Sequence, residues 1–437
     1  MKKQVTLLVF SAILHSFTGL NGTLAQEALQ FNANPNNPAL THGAPGTYDG
    51  EFCVLPYPLW DNGTFYLFYT GNAGVCFATS TNGYNFTKFT GNPVLTASGS
   101  GFDSLGAAQA VVLKVGPQWV MYYNARQFPG WGPGESIGRA TADSLTGAWD
   151  RSLAPVLTLG SPGEWDAGLI TPNNVFPLAS GGFIMYYYAS TDFNGTWLMG
   201  MATSPDGINW TKYNDPATTQ APYAESDPIL PAGESGEFDE WGVLGAGVFK
   251  KGGFYHMYYS GVGPGPGGYR TDIGFAYSAD GITWQKWAEN PVYVQEDDPY
   301  FNASTMIFEQ PGVLLYNSTV FIYYDYGVQE NSLGMATDDF TDKISEWELS
   351  DYALRITNSP NPVTQSTTFS YNLEESGQVS LDIFDSFGRL IATPVNEWQQ
   401  KGEKHVLWNA GEVPAGVYFL RLHSGKKEGN RKMLVVK

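Results

Sequence analysis

Phe254-Tyr255-His256-Met257-Tyr258-Tyr259, then Gly274-Phe275-Ala276, then Asp280-Gly281-Ile282-Thr283-Trp284: this stretch reads as an aromatic strand, a strand opened by Gly-x-Ala, a tight turn and a short closing aromatic strand. The same order recurs along the chain. Its first element returns as Phe65 to Tyr69, Trp119 to Tyr123, Phe183 to Tyr187 and Val320 to Tyr324. Its second returns as Gly138-Arg139-Ala140, Gly200-Met201-Ala202 and Gly334-Met335-Ala336, with Cys76-Phe77-Ala78 in the first copy. The turn returns as Asp206-Gly207-Ile208-Asn209-Trp210. Upstream of each copy stands a proline: Pro38, Pro93, Pro155, Pro228 and Pro291. Ten or eleven residues after each proline comes an acid or amide preceded by an aromatic: Asp49, Asp103, Asp166, Asp239 and Asn302.

There are five copies, spaced 55 to 73 residues apart, each with room for four short strands. A lone four-stranded unit cannot bury both of its faces, so the copies must pack on one another. Radial packing of such units is a β-propeller, here five-bladed. Asn37-Pro38-Ala39-Leu40 matches the close of a unit, and the fifth copy stops early near Phe340. The start of the chain is therefore expected to supply the outermost strand of the last blade, closing the ring and removing its edges. The expected plan is all-β: a signal peptide at 1–25, a propeller at 26–345, a linker at 346–355 and a small immunoglobulin-like β-sandwich at 356–437.

Composition fits this plan and excludes others. The chain has 437 residues, with 13 Trp, 26 Tyr and 26 Phe, and a net charge of −19. Such acidity repels phosphate, so nucleic acid is not an expected partner. The charge is uneven: residues 27–355 carry 12 Lys/Arg against 34 Asp/Glu, whereas 356–437 carry nine against eight. Two cysteines, Cys53 and Cys76, cannot staple a chain of this length. They fall on the first and third strands of one blade, about 9.6 Å apart at ordinary strand spacing, so both are expected free and buried. No clustered Cys/His pattern suggests zinc. Lys2 and Lys3, an apolar Val5 to Leu14 and Thr23-Leu24-Ala25 before Gln26 read as a cleavable secretory signal. No later segment reads as membrane-crossing, and a monomer is expected.

The tail alternates like short antiparallel strands at Thr368 to Leu373, Val379 to Phe384, Val406 to Trp408, Val417 to Leu422 and Lys432 to Val436. Asn358-Ser359-Pro360-Asn361-Pro362, Ile383-Phe384-Asp385-Ser386-Phe387-Gly388-Arg389, Trp408, Pro414-Ala415-Gly416-Val417-Tyr418 and the terminal Lys432 to Lys437 follow in order. This resembles the C-terminal sorting domain of type IX secretion substrates of the Bacteroidetes. The resemblance implies the secretion machinery as a partner, export through the periplasm, and release from or attachment to the outer surface of a Gram-negative cell.

In a propeller the innermost strands converge on one depression, so repeat columns become rings. The ring Asp49, Asp103, Asp166, Asp239 and Asn302 has two readings: carboxylates for acid/base work on a sugar, or side chains capping local backbone groups. Seven residues on, the column runs Pro56, Ala110, Asn173, Ala246 and Glu309. The lone glutamate breaks the symmetry and suits a general acid. Gln109, Asn173, Asn174 and Gln310 lie beside it and are suited to hydrogen-bond hydroxyls. Trp131, Trp165, Trp241 and Tyr269 lie in or beside loops and could stack on sugar faces.

Over residues 34–340 the repeat, together with Glu309-Gln310-Pro311 ahead of Tyr323-Tyr324, resembles the five-bladed arabinanase, levansucrase and invertase clan of glycoside hydrolases, family 43 among them. The resemblance implies Glu309 as general acid. The clan's base aspartate, which precedes a proline at the same column, has no counterpart in any blade. Asp49 or Asp166 fills that role only if the loops leading into the inner strands fold inward, with Asp103 and Asp239 beside the substrate. The expected function is hydrolysis of a plant or algal polysaccharide, with no cofactor and a structural calcium left open. The alternative is a non-catalytic carbohydrate-binding propeller. A sialidase-like reading, suggested by Ser278 to Trp284, is disfavoured by five blades. Only five arginines, Arg126, Arg139, Arg151, Arg270 and Arg355, lie between residues 27 and 355.

Overall fold

The computed structural model describes residues 31–436 apart from 128–133, 179–180, 192–195, 252, 266–267, 301–308, 327–330, 340–353, 355, 374, 386–388, 412 and 426. The signal peptide, most of the linker, Trp131, Phe301 and Asn302 lie outside the described residues. Five antiparallel sheets form the blades, each running from an innermost to an outermost strand. Blade 1 is Cys53–Asp61, Thr64–Gly71, Gly74–Ser80 and Thr87–Lys88. Blade 2 is Gly106–Val115, Gln118–Arg126, Ser136–Ala142 and Asp150–Arg151. Blade 3 is Leu169–Pro177, Phe183–Ser190, Leu198–Ser204 and Thr211–Lys212, with Pro228–Leu230 added beside its third strand. Blade 4 is Gly242–Lys251, Phe254–Gly265, Gly268–Ser278 and Gln285–Lys286. Blade 5 is Glu309–Tyr316, Thr319–Asp325, Leu333–Asp339 and, from the start of the described chain, Asn32–Ala33. Asn32 pairs with Thr337 and Ala33 with Ala336, so the ring closes as the repeat implied.

The Gly-x-Ala motif is a packing device. Tyr123, Tyr187, Tyr259 and Tyr324 stand on second strands directly opposite Gly138, Gly200, Gly274 and Gly334. Each ring packs against its glycine, where a Cβ would overlap it. Three of these rings, together with Tyr69 in blade 1, reach an aspartate with the hydroxyl: Tyr69 to Asp49 at 2.9 Å, Tyr123 to Asp103 at 2.8 Å, Tyr259 to Asp239 at 3.0 Å and Tyr324 to Asp298 at 2.5 Å. Gly200→Ala is expected to lower stability by about 1–3 kcal/mol, because Tyr187 is fully buried and cannot move aside. Denaturant unfolding with an unchanged slope checks it. In blade 1 Cys76 stands opposite Tyr69 instead. Cys76 and Cys53 are both buried and free, and burial pushes the Cys76 thiol up to about 12.

Neighbouring blades are clamped by their turns. Ser204 Oγ accepts from Gly207 N while Asp206 Oδ1 accepts from the Ile208 and Asn209 amides. Gly207 O in turn accepts from Tyr122 of the preceding blade at 2.6 Å. Tyr186 does the same to Gly281 at 2.9 Å and Tyr323 to Gly83 at 2.7 Å. The sialidase-like turn is thus an interblade fastening here.

His256 lies in blade 4 stacked on Phe249, with ring centroids 5.1 Å apart, and on Phe275. Burial pushes its imidazole down from 6.5 to about 4. A folded state that resists protonation is fully stabilised above pH 6.5 and loses that stability as pH falls toward 4. The interval corresponds to about 3 kcal/mol. Comparing His256→Leu with the parent in urea at neutral and acid pH should show the parent losing more.

The tail forms two sheets, one of Ile356–Ser359, Ser366–Leu373 and Gly402–Asn409, the other of Leu390–Gln399, Gly377–Asp385, Gly416–Ser424 and Lys427–Val435. Phe369, Tyr371, Leu381, Ile383, Leu420 and Met433 bury one core between them, as a β-sandwich requires. Two strands were absent from the sequence reading. Leu390–Gln399 contains Pro394, which is admissible because the strand is an edge.

Candidate active site at the propeller axis

Each inner strand carries a bulge where it reaches the axis, seen as a register shift after Val54, Ala108, Pro172, Val243 and Glu309. Leu55, Gln109, Gly245 and Gln310 occupy left-handed conformations there, with φ of 61°, 38°, 77° and 49°. Three of the four are not glycine, a strained choice that bulges use to re-aim side chains. Pro56, Gln109, Asn173, Ala246 and Gln310, one from each blade, line the axial depression.

Registering the bulges corrects the column read from the sequence. Pro311, not Glu309, stands level with Pro56, Ala110 and Ala246. Glu309 shares its level with Val54, Ala108 and Thr171, whose cross-strand partners are Thr70, Asn124 and Tyr188. The partner of Glu309 is Asp325. Directly opposed residues hold their Cβ atoms about 4.5–5.5 Å apart, so two carboxyl groups meet at this level of blade 5. Glu309 is half-buried, whereas Asp325 is 3% exposed and accepts the Leu55 amide at 2.8 Å. Burial, and then the neighbouring Glu309, push the Asp325 carboxyl well above the usual range. In blade 1 the corresponding acceptor is a neutral hydroxyl, Thr70 Oγ1, bonded by Gln109 N.

Tyr188 connects this pair to the other wall. Its hydroxyl accepts from Gln310 Nε2 at 3.1 Å and donates to Gln109 Oε1 at 3.2 Å. Burial raises its phenol, and the charges of both Glu135 and Glu309 add to that. Glu135 is 5% exposed, precedes the third strand of blade 2 and accepts from Asn124 Nδ2 at 2.8 Å. Asn124 also bonds Thr171 Oγ1 at 3.0 Å. Carboxylates from blades 2 and 5 thus flank one tyrosine at the axial mouth.

The ring aspartates are occupied elsewhere. Asp49, Asp103, Asp166 and Asp239 are at most 3% exposed. Each is paired from its blade's outermost strand: Lys88 at 2.5 Å, Arg151 at 2.6 Å, Lys212 at 2.6 Å and Lys286 at 2.7 Å. The lead-in loops therefore do not turn Asp49 or Asp166 inward to serve as base, nor Asp103 toward the axis. In blade 5 the ring position is Asp298, not Asn302, because Asp298 is the residue that Tyr324 reaches. Among the described residues it has no cation partner, and Ala33 stands where Lys88 and its counterparts stand. Tyr326 at 2.8 Å and Asn37 at 3.0 Å donate instead.

Of the aromatic candidates, Trp165 is 3% exposed, stacked on Tyr187 and bonded through Nε1 to Ser226. It fills the core, and neither ring face is open to a sugar. Trp241 is 41% exposed with Nε1 on Glu240. The Tyr269 backbone belongs to the blade 4 hairpin, and its side chain is outside the described residues. Asn173 and Asn174 both line the axis, and Asn174 Oδ1 accepts from the Val248 amide at 2.8 Å. Among the described residues no group of three or more His, Cys, Asp or Glu is placed to hold a metal ion.

Solved structures share this architecture. A proposed glycoside hydrolase from Bacteroides ovatus ATCC 8483 covers 72% of this chain and 98% of its own, at 17% identity and a TM-score of 0.56. One from Parabacteroides distasonis ATCC 8503 covers 71% and 97%, at 17% and 0.55. A structure described under the GH130 family of mannoside phosphorylases, which contains glycoside hydrolases that target β-1,2 mannosidic linkages in Candida mannan, covers 71% and 94%, at 16% and 0.55. The fold is that of the propeller glycoside hydrolases. Residues 359–437 match the family described as Secretion system C-terminal sorting domain, three residues inside the boundary expected from sequence. No curated protein matches the chain in sequence. Among the described residues no helix is long and apolar enough to cross a membrane.

Glu135, Tyr188 and Asp325 were missed in the sequence. A signal was present: the residue after each second-strand tyrosine runs Thr70, Asn124, Tyr188, Ser260 and Asp325. All five are buried, and only the last is ionised at neutral pH in its ordinary state.

Proposed function

We propose that this protein is a glycoside hydrolase of plant or algal polysaccharide, working at the axial mouth and exported through the type IX route to the cell surface or medium. The carrying observation is the convergence of Glu309, with Asp325 opposite it, and Glu135 across Tyr188. Glu309, the more accessible carboxyl, donates a proton to the glycosidic oxygen. Glu135 acts on the opposite side of the sugar, as nucleophile or as base for water. Asp325 resists ionising beside Glu309 and keeps a proton within the pair. Gln109, Gln310 and Asn173 offer amides to hydroxyls, and Trp241 an open ring. The tail has no part in the chemistry.

The test is hydrolysis of arabinan, xylan, fructan and mannan panels by the purified protein, with Glu309→Gln and Glu135→Gln as controls. Sugar release that both variants abolish supports the reading. Release unchanged in Glu309→Gln overturns it. Glycan retention without release points instead to the non-catalytic binding propeller, a reading consistent with the amide-rich lining of the axis.

A further inference from the structure

Blade 4 carries a second depression at the same end of the propeller as the axial mouth. Its central hairpin stays paired out to Gly265 and Gly268, whereas the blade 1 hairpin closes at Gly71 and Gly74. Gly261 and Gly263 lie against Phe238 so closely that a Cβ on either would overlap it. The extension therefore leans over the loop leading into blade 4. Arg270 fixes it with two forks: Nε and Nη2 to Asp272 at 2.6 and 2.9 Å, and Nη1 and Nη2 to Glu296, both at 2.6 Å. Between this extension, the lead-in loop and the outermost strand lies a cavity of about 490 Å³, lined by Phe238, Asp239, Arg270, Asp272, Lys286 and Trp287 among others.

The chemistry of the lining selects a ligand class. Its cations are already neutralised, Lys286 by Asp239 at 2.7 Å and Arg270 by its two carboxylates. An anionic ligand would have to break those pairs. A neutral molecule with many hydroxyls meets donors and acceptors side by side without displacing either partner. Trp287 is half-buried at the edge of Phe275, with ring centroids 6.3 Å apart. Among the described residues its indole N–H has no hydrogen-bond partner. It thus offers an apolar face and a free donor together, the combination that stacks on a sugar and bonds its rim.

We infer that this cavity is a second carbohydrate site, which takes a neutral, hydroxyl-rich unit of a long glycan against Trp287. It goes beyond the axial reading and requires no hydrolysis there. A chain lying across that end of the propeller would be held at a distance from the axis.

The test uses the full-length protein carrying Glu309→Gln, so that no bound glycan is consumed, with immobilised arabinan, xylan, fructan and mannan as probes. At least one is expected to retain the protein. Trp287→Ala should weaken that retention about tenfold, and Trp287→Phe should keep most of it. Ala288→Trp, at an exposed position on the rim, should block the cavity with a similar loss even if Trp287→Ala folds poorly. Retention should change little between about 0.05 and about 0.5 M salt, because no net charge is being matched. Absence of retention on every glycan, undiminished retention in both Trp287→Ala and Ala288→Trp, or collapse of retention in salt would each overturn the proposal. Activity of the unmutated axial site is read separately, so failure there leaves this result intact.

Discussion

Glu309→Gln is expected to lower hydrolysis of the best polysaccharide about 10²- to 10⁴-fold, with little change in the affinity for it. That is the range for losing a general acid, because the amide keeps the shape and hydrogen-bonding reach of the carboxyl but has no proton to donate. Glu135→Gln should cost as much if it attacks or activates water. The two variants separate through leaving groups. An activated aryl glycoside needs little protonation to depart, so it should rescue Glu309→Gln and leave Glu135→Gln inactive. Asp325→Asn should behave differently from both. It keeps an acceptor for the Leu55 amide, so the axial latch survives. It removes the carboxyl that Glu309 pushes up, and the coupling between the two is reciprocal. The alkaline limb of the pH–rate profile should therefore move toward acid, with kcat at its optimum reduced less than in Glu309→Gln. A profile unmoved by Asp325→Asn would remove the pair from the mechanism.

Asp166→Ala is expected to act on stability, by about 3–5 kcal/mol, with activity per folded molecule retained. Asp166 is fully buried, 2.6 Å from Lys212 and 3.1 Å from the Ser226 hydroxyl. Removing one side of a buried pair leaves the other without compensation, and Lys212 is only 14% exposed in its side chain. Asp166→Asn should cost less, because the hydrogen bonds survive and only the charge is lost. Denaturant titration and activity below the unfolding transition measure the two quantities separately. A collapse of kcat with native stability would return Asp166 to the catalytic machinery.

These outcomes rest on a division between short-range and long-range information. The propeller was legible because its signals are local and repeat: an aromatic strand, Gly-x-Ala, a turn, and a spacing that returns five times. Ring closure was legible as well, since Asn37-Pro38 repeats Asn92-Pro93 and Asn290-Pro291 in both sequence and role. Asn37, Asn92 and Asn290 each donate to the hydroxyl of a second-strand tyrosine, Tyr324, Tyr69 and Tyr259.

The axial site was only half legible. Glu309 stood out as the one residue to break a column, but the column itself was two residues out of register. Spacing was counted as seven residues from Asn302, whereas the ring residue that Tyr324 reaches is Asp298 and 13 residues, not seven, separate it from Pro311. A strand's side chains alternate faces with period two, and a bulge resets that alternation, so counting along the chain cannot say which residue meets the axis. Glu135 and Asp325 lie far apart in sequence, on blades 2 and 5, and carry no shared motif. Only the closed ring brings Glu135 and the Glu309–Asp325 pair to the two sides of Tyr188, and burial, with Glu309 beside it, makes Asp325 a weak acid. By itself the sequence determined the repeated blade and the sorting tail, because each depends on neighbours within a few tens of residues, and the closing strand, because the start of the chain repeats the close of a unit although its partners Ala336 and Thr337 lie far along the chain. The tertiary structure decided which carboxylates face one another and which are locked to lysine or arginine, because strand pairing, bulge register and burial bring together side chains that spacing along the chain does not.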